Sequence, residues 1–433
     1  MSKINRIDDN WLRIDNSYGV DATILANSDV EIDRATFVEI DSFLSLNDTL
    51  KDLSKDLGLE KVVFSPDLHK GAGIPVGTSA LLKGCVIPKA IGTDIGCGMQ
   101  LSVLDVPRSV IEDPELDQHL RAVFFEGKRN IKLSRNERIQ LFKNGAFTSS
   151  CAPEEFLRSS ALRDDEATHD DQLGSIGGGN HFVEIQEVDA VIDRHKAYEW
   201  GLKKNSICIM SHTGSVSVGQ YIGKKWQDYA KNTYSKALKA PKGEYFPLIE
   251  AKDIENYLNE MRAAANFAAA NRSYLTSMVK LALYNMTGVD FTYKVLHDSA
   301  HNLAWDTLHR KGACPAELDK PVIVPGSMGD YSYVLCGHGN IDSLCSACHG
   351  AGRKTARKGS KENIGELSTI RIITKLDPKK IHRKDILADY QASLAEEAPS
   401  CYKDVVPAID TCKNAKVASP VIRLKPILTI KGY

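Results

Sequence analysis

The chain has 433 residues, of which 42% are hydrophobic and 26% charged. That composition supplies a packed core and excludes whole-chain disorder or a collagen-like fibre. Lys and Arg total 55 against 56 Asp and Glu, a formal net charge of −1, so any hold on a polyanion must come from a local patch. There is no run of 18 apolar residues, and the opening MSKINRIDDNWLRIDNSYG has mixed charge without an apolar stretch. A cytoplasmic chain with no membrane partner is expected. Its 10 Cys would stay reduced, mostly as small buried hydrophobes and in a few cases as metal ligands.

In chain order, Val30, Ile32, Phe37, Ile40 and Phe43 read as short strands and turns over 20–47, followed by a short amphipathic helix over 48–59. Lys61-Val62-Val63-Phe64 reads as a buried strand, and the Gly-rich stretch from Asp67 to Met99 as strands joined by tight turns. Residues 109–172 are charged and helical in pattern, broken near Gly145, and form a candidate helical insertion. A Gly turn and strand follow over 175–187, then a strand over 206–210. Ile254, Tyr257, Met261, Ala264, Ala265 and Ala268 fall at helical spacing and predict a helix over 252–286. Strands VIVPGSM and YSYVLC precede a Gly/basic segment from His349, and VIRLKPILTIKGY reads as a terminal strand. No low-complexity linker divides the chain, so a single domain over 1–433 is expected.

Of five groups of polar residues, most follow a strand or sit in a Gly turn, where the backbone packs closely and side chains can converge. Asp94-Ile95-Gly96-Cys97 offers hard and soft donors to a divalent ion, or a turn Asp and a buried Cys. Asn180-His181 follows three Gly, which admit a phosphate or a metal or form a plain loop. His212 ends an apolar strand, either as a ligand or as a core His. His297 and His301, four apart on an expected helix, share a face as in a zinc protease, with Asp in place of the usual Glu. Cys345-Ser346-Ala347-Cys348-His349 matches a haem-attachment pattern, or with Cys336 and His338 a small structural zinc site. The preferred reading takes His349 alone. With Gly350, Gly352 and Arg353 it offers a nitrogen nucleophile, room for a phosphate and a planar cation, against a solvated basic loop as the bland alternative.

These residues carry a specific likeness. The segments SPDLHKGAGIPVG, IGTDIGCGM, GGGNHFVEI, SHTGS, AHNLAW, HRKGA, PGSMGDYSYV, CHGAGR, YKDV and IKG run in order from about residue 62 to the end. The chain thereby resembles the RtcB family of RNA-splicing ligases, with residues 1–60 matched only loosely. The resemblance implies an α+β fold, one domain with mixed β-sheets around a deep metal-containing pocket and with peripheral helices. It implies two Mn²⁺ ions bridged by Cys97, with Asp94 and His181 completing one site and His212 and His301 the other. His349 would be the nucleophile that takes GMP from GTP. Asn180, Phe182 and Glu184 would contact the nucleotide, Glu184 through the guanine edge. Asn302, Ser327, Arg353, Tyr402 and Lys431 fall at further nucleotide positions. The implied substrates are RNA ends, a 3′-phosphate or 2′,3′-cyclic phosphate and a 5′-OH, as in RNA repair or tRNA processing.

Two positions depart from the family pattern. Val216 stands where Arg usually follows the His-Thr-Gly-Ser block, and Cys314-Pro315 where HRKGA usually continues Thr-Arg. Both missing Arg would hold RNA phosphates, at roughly 1.5–3 kcal/mol per charge-assisted contact. Lys128, Arg129, Lys132, Arg310 and Lys311 are the candidate replacements. The chain therefore reads as a divergent paralogue. The alternatives are a guanylylating enzyme with a changed acceptor and a non-catalytic RNA-binding protein with a structural metal core.

Overall fold

Strands of fully apolar or alternating pattern build two large sheets. The structure, a computed structural model, describes residues 2–126, 134–143, 170–236, 245–354 and 361–432. The first sheet begins with β1 (Lys3–Arg6), β2 (Trp11–Asp15), β3 (Asp21–Leu25), β4 (Gly58–His69) and β5 (Val76–Lys83). It is completed by β11 (Leu308–Lys311) and β10 (Asn302–Trp305), in the order β1-β2-β3-β4-β5-β11-β10. The second holds β6 (Gly98–Leu104), β7 (Phe182–Val191), β8 (Ile207–Thr213), β9 (Tyr293–Ala300), β13 (Pro321–Val324), β14 (Ser332–Gly337) and β17 (Ala418–Ile430). Their order is β13-β14-β17-β7-β8-β6-β9, and β16 (Ile372–Ile373) pairs with β17. A small sheet joins β12 (Ala313–Pro315) to β15 (Ser346–Cys348).

The helices pack around these sheets. They are α1 (Arg34–Leu44), α2 (Leu46–Leu53), α3 (Pro88–Ile91), α4 (Arg108–Glu112), α5 (Glu115–Phe125), α6 (Arg135–Lys143), α7 (Arg194–Glu199), α8 (Val216–Tyr234), α9 (Ala251–Thr287), α10 (Lys384–Ala395) and α11 (Val406–Asn414). The Ala-rich α9 matches the predicted helix within a residue at each end and stops at Gly288 in the left-handed region. Its 37 residues span about 55 Å at 1.5 Å per residue. Ala263, Ala264, Ala265 and Ala268 are buried along it, because small side chains let neighbouring backbone approach.

Three expected elements differ. Residues 34–44 form a helix, not strands and turns. Asp33 accepts from the Thr36 N–H at 2.9 Å as N-cap, and Thr36, Ile40, Phe43 and Leu44 share the buried face. The helix expected over 48–59 is α2, which ends at Leu53 and gives way to β4 at Gly58. His297 lies on strand β9 rather than on a helix, because β9 pairs along its length with β6. The helical expectation over 109–172 holds for α4, α5 and α6; Gly145 and residues 144–169 lie outside the described residues. No described helix is long and apolar enough to cross a membrane.

Candidate active site

Strand register gathers the first set of side chains. Gly98 of β6 lies opposite Thr213 on one side and Ala300 on the other, and Phe182 opposite His212. Cys97, His181, His212 and His301 therefore meet at one end of the second sheet. The Cys97 Sγ sits 3.3 Å from His181 Nε2 and 3.4 Å from His212 Nε2. Asp94 Oδ2 lies 3.2 Å from His181 Nε2. The His212 ring centroid is 5.2 Å from that of His301, and His301 is 4.9 Å from His349. Glycine is required beside this cluster: a Cβ on Gly214 would stand 2.3 Å from Asp94 Oδ1.

Burial dominates the electrostatics. It works against the Asp94 carboxylate, but the His181 imidazole, the Cys97 contact and the Arg272 charge together hold the group below its ordinary range. Burial pushes His212 and His301 well below the usual imidazole range, so both are neutral donors. It also drives the Cys97 thiol far up, reinforced by the Asp94 charge. Cys97, His181 and His212 each present one ligand atom within 4.8 Å of the others. A sulfur, imidazoles and a carboxylate so arranged fit a borderline divalent cation, whose charge would release the thiol proton.

The second set comes from the first sheet and the segment after β15. His349 Nδ1 lies 2.5 Å from Oδ2 of Asp67, a fully buried residue of β4. The same oxygen accepts the backbone N–H of His349 at 3.0 Å and of Gly350 at 3.2 Å, while Ser65 Oγ donates to Oδ1 at 2.5 Å. The His349 and His69 rings are near parallel, with centroids 6.3 Å apart. Burial pushes His69 down to about 4. Sequence reasoning missed Asp67 and His69; a charged and an ionisable residue within an apolar strand was the available signal.

A cavity of about 250 Å³ opens over both sets, lined among others by Asp94, Cys97, His212, His301 and His349. Asn180, Phe182, Glu184, Asn302, Ser327, Arg353, Tyr402 and Lys431 all reach its wall. Glu184 accepts from Thr429 Oγ1 and Gln186 Nε2, each at 2.6 Å, and burial pushes its carboxyl up to about 7. Arg353 donates to Glu397 and to the Tyr402 hydroxyl at 3.1 Å, and its guanidinium lies 5.0 Å from the Tyr402 ring centre. Asn302 donates to the Asp94 carbonyl at 3.2 Å, and Lys431 to the Gly179 carbonyl at 2.6 Å. Ser327 donates to Asp330 at 3.3 Å.

Other expectations resolve differently. Cys348 faces Cys412 at 3.8 Å and Cys336 lies 3.9 Å from Asp319, and among the described residues Cys336, His338 and the Cys345–His349 segment bring no three metal donors together. Among the proposed RNA cations, Arg310 bonds inward to Ser346 and to the Leu344 and Cys345 carbonyls. Lys311 lines the cavity. Lys128, Arg129 and Lys132 lie outside the described residues. Val216 is held at φ 50°, an uncommon conformation for a β-branched residue, at the start of α8.

An α+β fold carrying a Cys/His/Asp donor cluster beside an aspartate-held histidine has the make-up of a metal-dependent enzyme. Comparison with known proteins places it more closely: the family model for tRNA-splicing ligase RtcB matches residues 52–432, and the chain belongs to that family. It is 31% identical over 434 residues to a tRNA-splicing ligase RtcB of Nanoarchaeum equitans, covering 86% of this chain and 88% of the relative. It is 32% identical over 386 residues to RNA-splicing ligase RtcB2 of Escherichia coli, with the same coverage. An Entamoeba histolytica RNA-splicing ligase RtcB homolog 1 is 28% identical over 437 residues, covering 87% and 81%.

Proposed function

We propose that the chain joins an RNA 3′-phosphate, or a 2′,3′-cyclic phosphate once opened, to a 5′-OH end, with GTP consumed through a His349–GMP intermediate. The observation that carries this reading is the Asp67–His349 pair, its ring 4.9 Å from His301 of the donor cluster and inside the same cavity. Asp67 orients the imidazole through Nδ1, which leaves the Nε2 lone pair for the α-phosphorus of GTP. A P–N bond forms, the bond to the β-phosphate breaks and pyrophosphate leaves. The GMP then passes to the RNA 3′-phosphate, and the 5′-OH of the second end attacks that phosphate and displaces GMP.

Two Mn²⁺ ions are proposed for the donor cluster, Cys97 shared, Asp94 and His181 serving one and His212 and His301 the other. When bound, they supply the positive charge that lets anionic phosphates approach one another. Asn180 and Arg353 are assigned to phosphate oxygens, Phe182 to the nucleotide face and Glu184 to the guanine N–H edge. Asn302, Ser327, Tyr402 and Lys431 complete the nucleotide wall. Purified protein with Mn²⁺, GTP and two RNAs ending in 3′-phosphate and 5′-OH tests the reading. A joined product that requires all four components is expected; protein that forms none with any RNA end pair contradicts it.

A second reading keeps guanylyl transfer and changes the acceptor. Val216 favours it: an apolar side chain at the mouth of α8 lines a cleft with Gly177, Gly178 and Lys375. Generic RNA ends would then be joined far more slowly than the protein is guanylylated. Comparable rates for the two steps contradict this version.

A further inference from the structure

Arg272 heads the fully buried side chains by size among the described residues and sits in the middle of α9. Its Nε and Nη2 donate to the two carboxylate oxygens of Asp298 at 2.8 and 2.6 Å. Its Nη1 donates to the carbonyls of Gly96 and Thr213, both at 2.8 Å. Gly96 directly precedes Cys97, Thr213 directly follows His212, and Asp298 stands three residues before His301. One planar cation thus ties together the three segments that carry the sulfur and two of the imidazoles. Gln100 braces it by donating to Asp298 at 3.0 Å.

The preceding residue, Asn271, reaches the fourth segment. It accepts from the Gly174 N–H at 2.7 Å and donates to the Ser175 carbonyl at 2.9 Å, at the start of the loop that ends in His181. A second contact goes to the Gly214 carbonyl at 3.3 Å. A buried ion pair adds little net stability over a well-packed apolar pair, because desolvation offsets the attraction. The fork geometry of a guanidinium fixes directions that an ammonium cannot.

We infer that Arg272 is the positioning residue of the donor cluster, setting the spacing of Cys97, His212 and His301 through Gly96, Thr213 and Asp298. The inference rests on the metal-centre reading above. Arg272 itself touches neither substrate nor metal. Lysine would keep the charge but reach at most part of this set, so the donors would drift apart while the helix stays buried.

The test uses Co²⁺ added to the metal-free full-length protein, read by the thiolate-to-cobalt charge-transfer band and by calorimetry. Arg272→Lys should weaken Co²⁺ binding by about 10–100-fold and diminish the thiolate band. Asp298→Asn, which keeps the arginine, should weaken binding in the same direction and carries the test if the lysine variant does not fold. Glu260→Gln is the stability control: that buried carboxylate on the same helix pairs with Lys225 and Trp226 at 2.6 and 2.7 Å. It should lower the unfolding temperature and leave Co²⁺ affinity and the band unchanged. Wild-type binding with an unaltered affinity and band in the folded Arg272 and Asp298 variants overturns the inference alone. Wild-type protein without a thiolate band overturns the metal-centre reading and the inference with it.

Discussion

Oδ2 of Asp67 accepts the backbone N–H of His349 at 3.0 Å and of Gly350 at 3.2 Å, and lies 2.5 Å from His349 Nδ1. Burial works against the charge, but His349 beside it holds the Asp67 carboxyl below its ordinary range. Asp67→Asn would keep the shape and offer an amide that can donate to Nδ1, which puts the ring proton on the wrong nitrogen. The expected loss of guanylylation is on the order of 10²–10⁴-fold, by analogy with other aspartate-held histidines. GTP binding should change by only a few fold, measured by calorimetry alongside the rate of adduct formation.

Glu184 gives a nucleotide-choice prediction. Two N–H groups of a guanine edge favour its ionised form, and each charge-assisted bond is worth about 1.5–3 kcal/mol. Glu184→Gln should therefore cut the preference for GTP over ATP by roughly 10–100-fold, read from competition binding. The pH sign follows from burial, which raises the folded carboxyl to about 7. The protonated form is the one the fold favours, so this group's contribution to stability is present at low pH and fades as pH rises through about 7. GTP affinity should rise over the same window in wild type and stay flat in the Gln variant.

How much of this was legible in the sequence depends on the range of the interaction. Cys97, His181, His212, His301 and His349 stand in short blocks, all but that of His301 containing glycine, whose order carries the family likeness. The partner of His349 lies 282 residues away on β4, and nothing local marks it except a carboxylate in an apolar run. Phe37, Ile40 and Phe43 of helix α1 fit both a loose alternation and a three-residue spacing; the Asp33 cap decides between them. Arg272 is one of four cations on α9 and nothing local sets it apart, because its four acceptors come from three distant segments.

His309 sets an acid limit on the fold. The Ile87 N–H donates to its Nε2 at 3.1 Å, and its Nδ1 lies 3.0 Å from the Thr307 carbonyl, so the neutral ring satisfies both. Burial pushes this histidine down to about 4. The unfolded chain takes up a proton below about 6.5, whereas the folded chain does so only near 4. Stability present above that window is lost as pH falls through it, by up to about 3 kcal/mol from this group. Urea unfolding of wild type and His309→Gln should give a flatter pH dependence for the variant, with the variant less stable at pH 7.

Val216 supplies a prediction about strain. A β-branched residue at φ 50° costs about 1–3 kcal/mol, and glycine removes that cost while losing some helix propensity. Val216→Gly should be neutral or more stable than wild type by about 1 kcal/mol in urea unfolding. Val216→Arg should speed the joining of generic RNA ends relative to guanylylation if the acceptor side alone has diverged.

Nε2 of His349 is the atom proposed to receive the nucleotide. Incubation with Mn²⁺ and GTP labelled on the α-phosphate should yield an acid-labile protein–GMP adduct, absent in His349→Ala and absent when the label is on the γ-phosphate. An equally labelled His349→Ala protein, or no adduct in wild type that binds both Mn²⁺ and GTP, would contradict it.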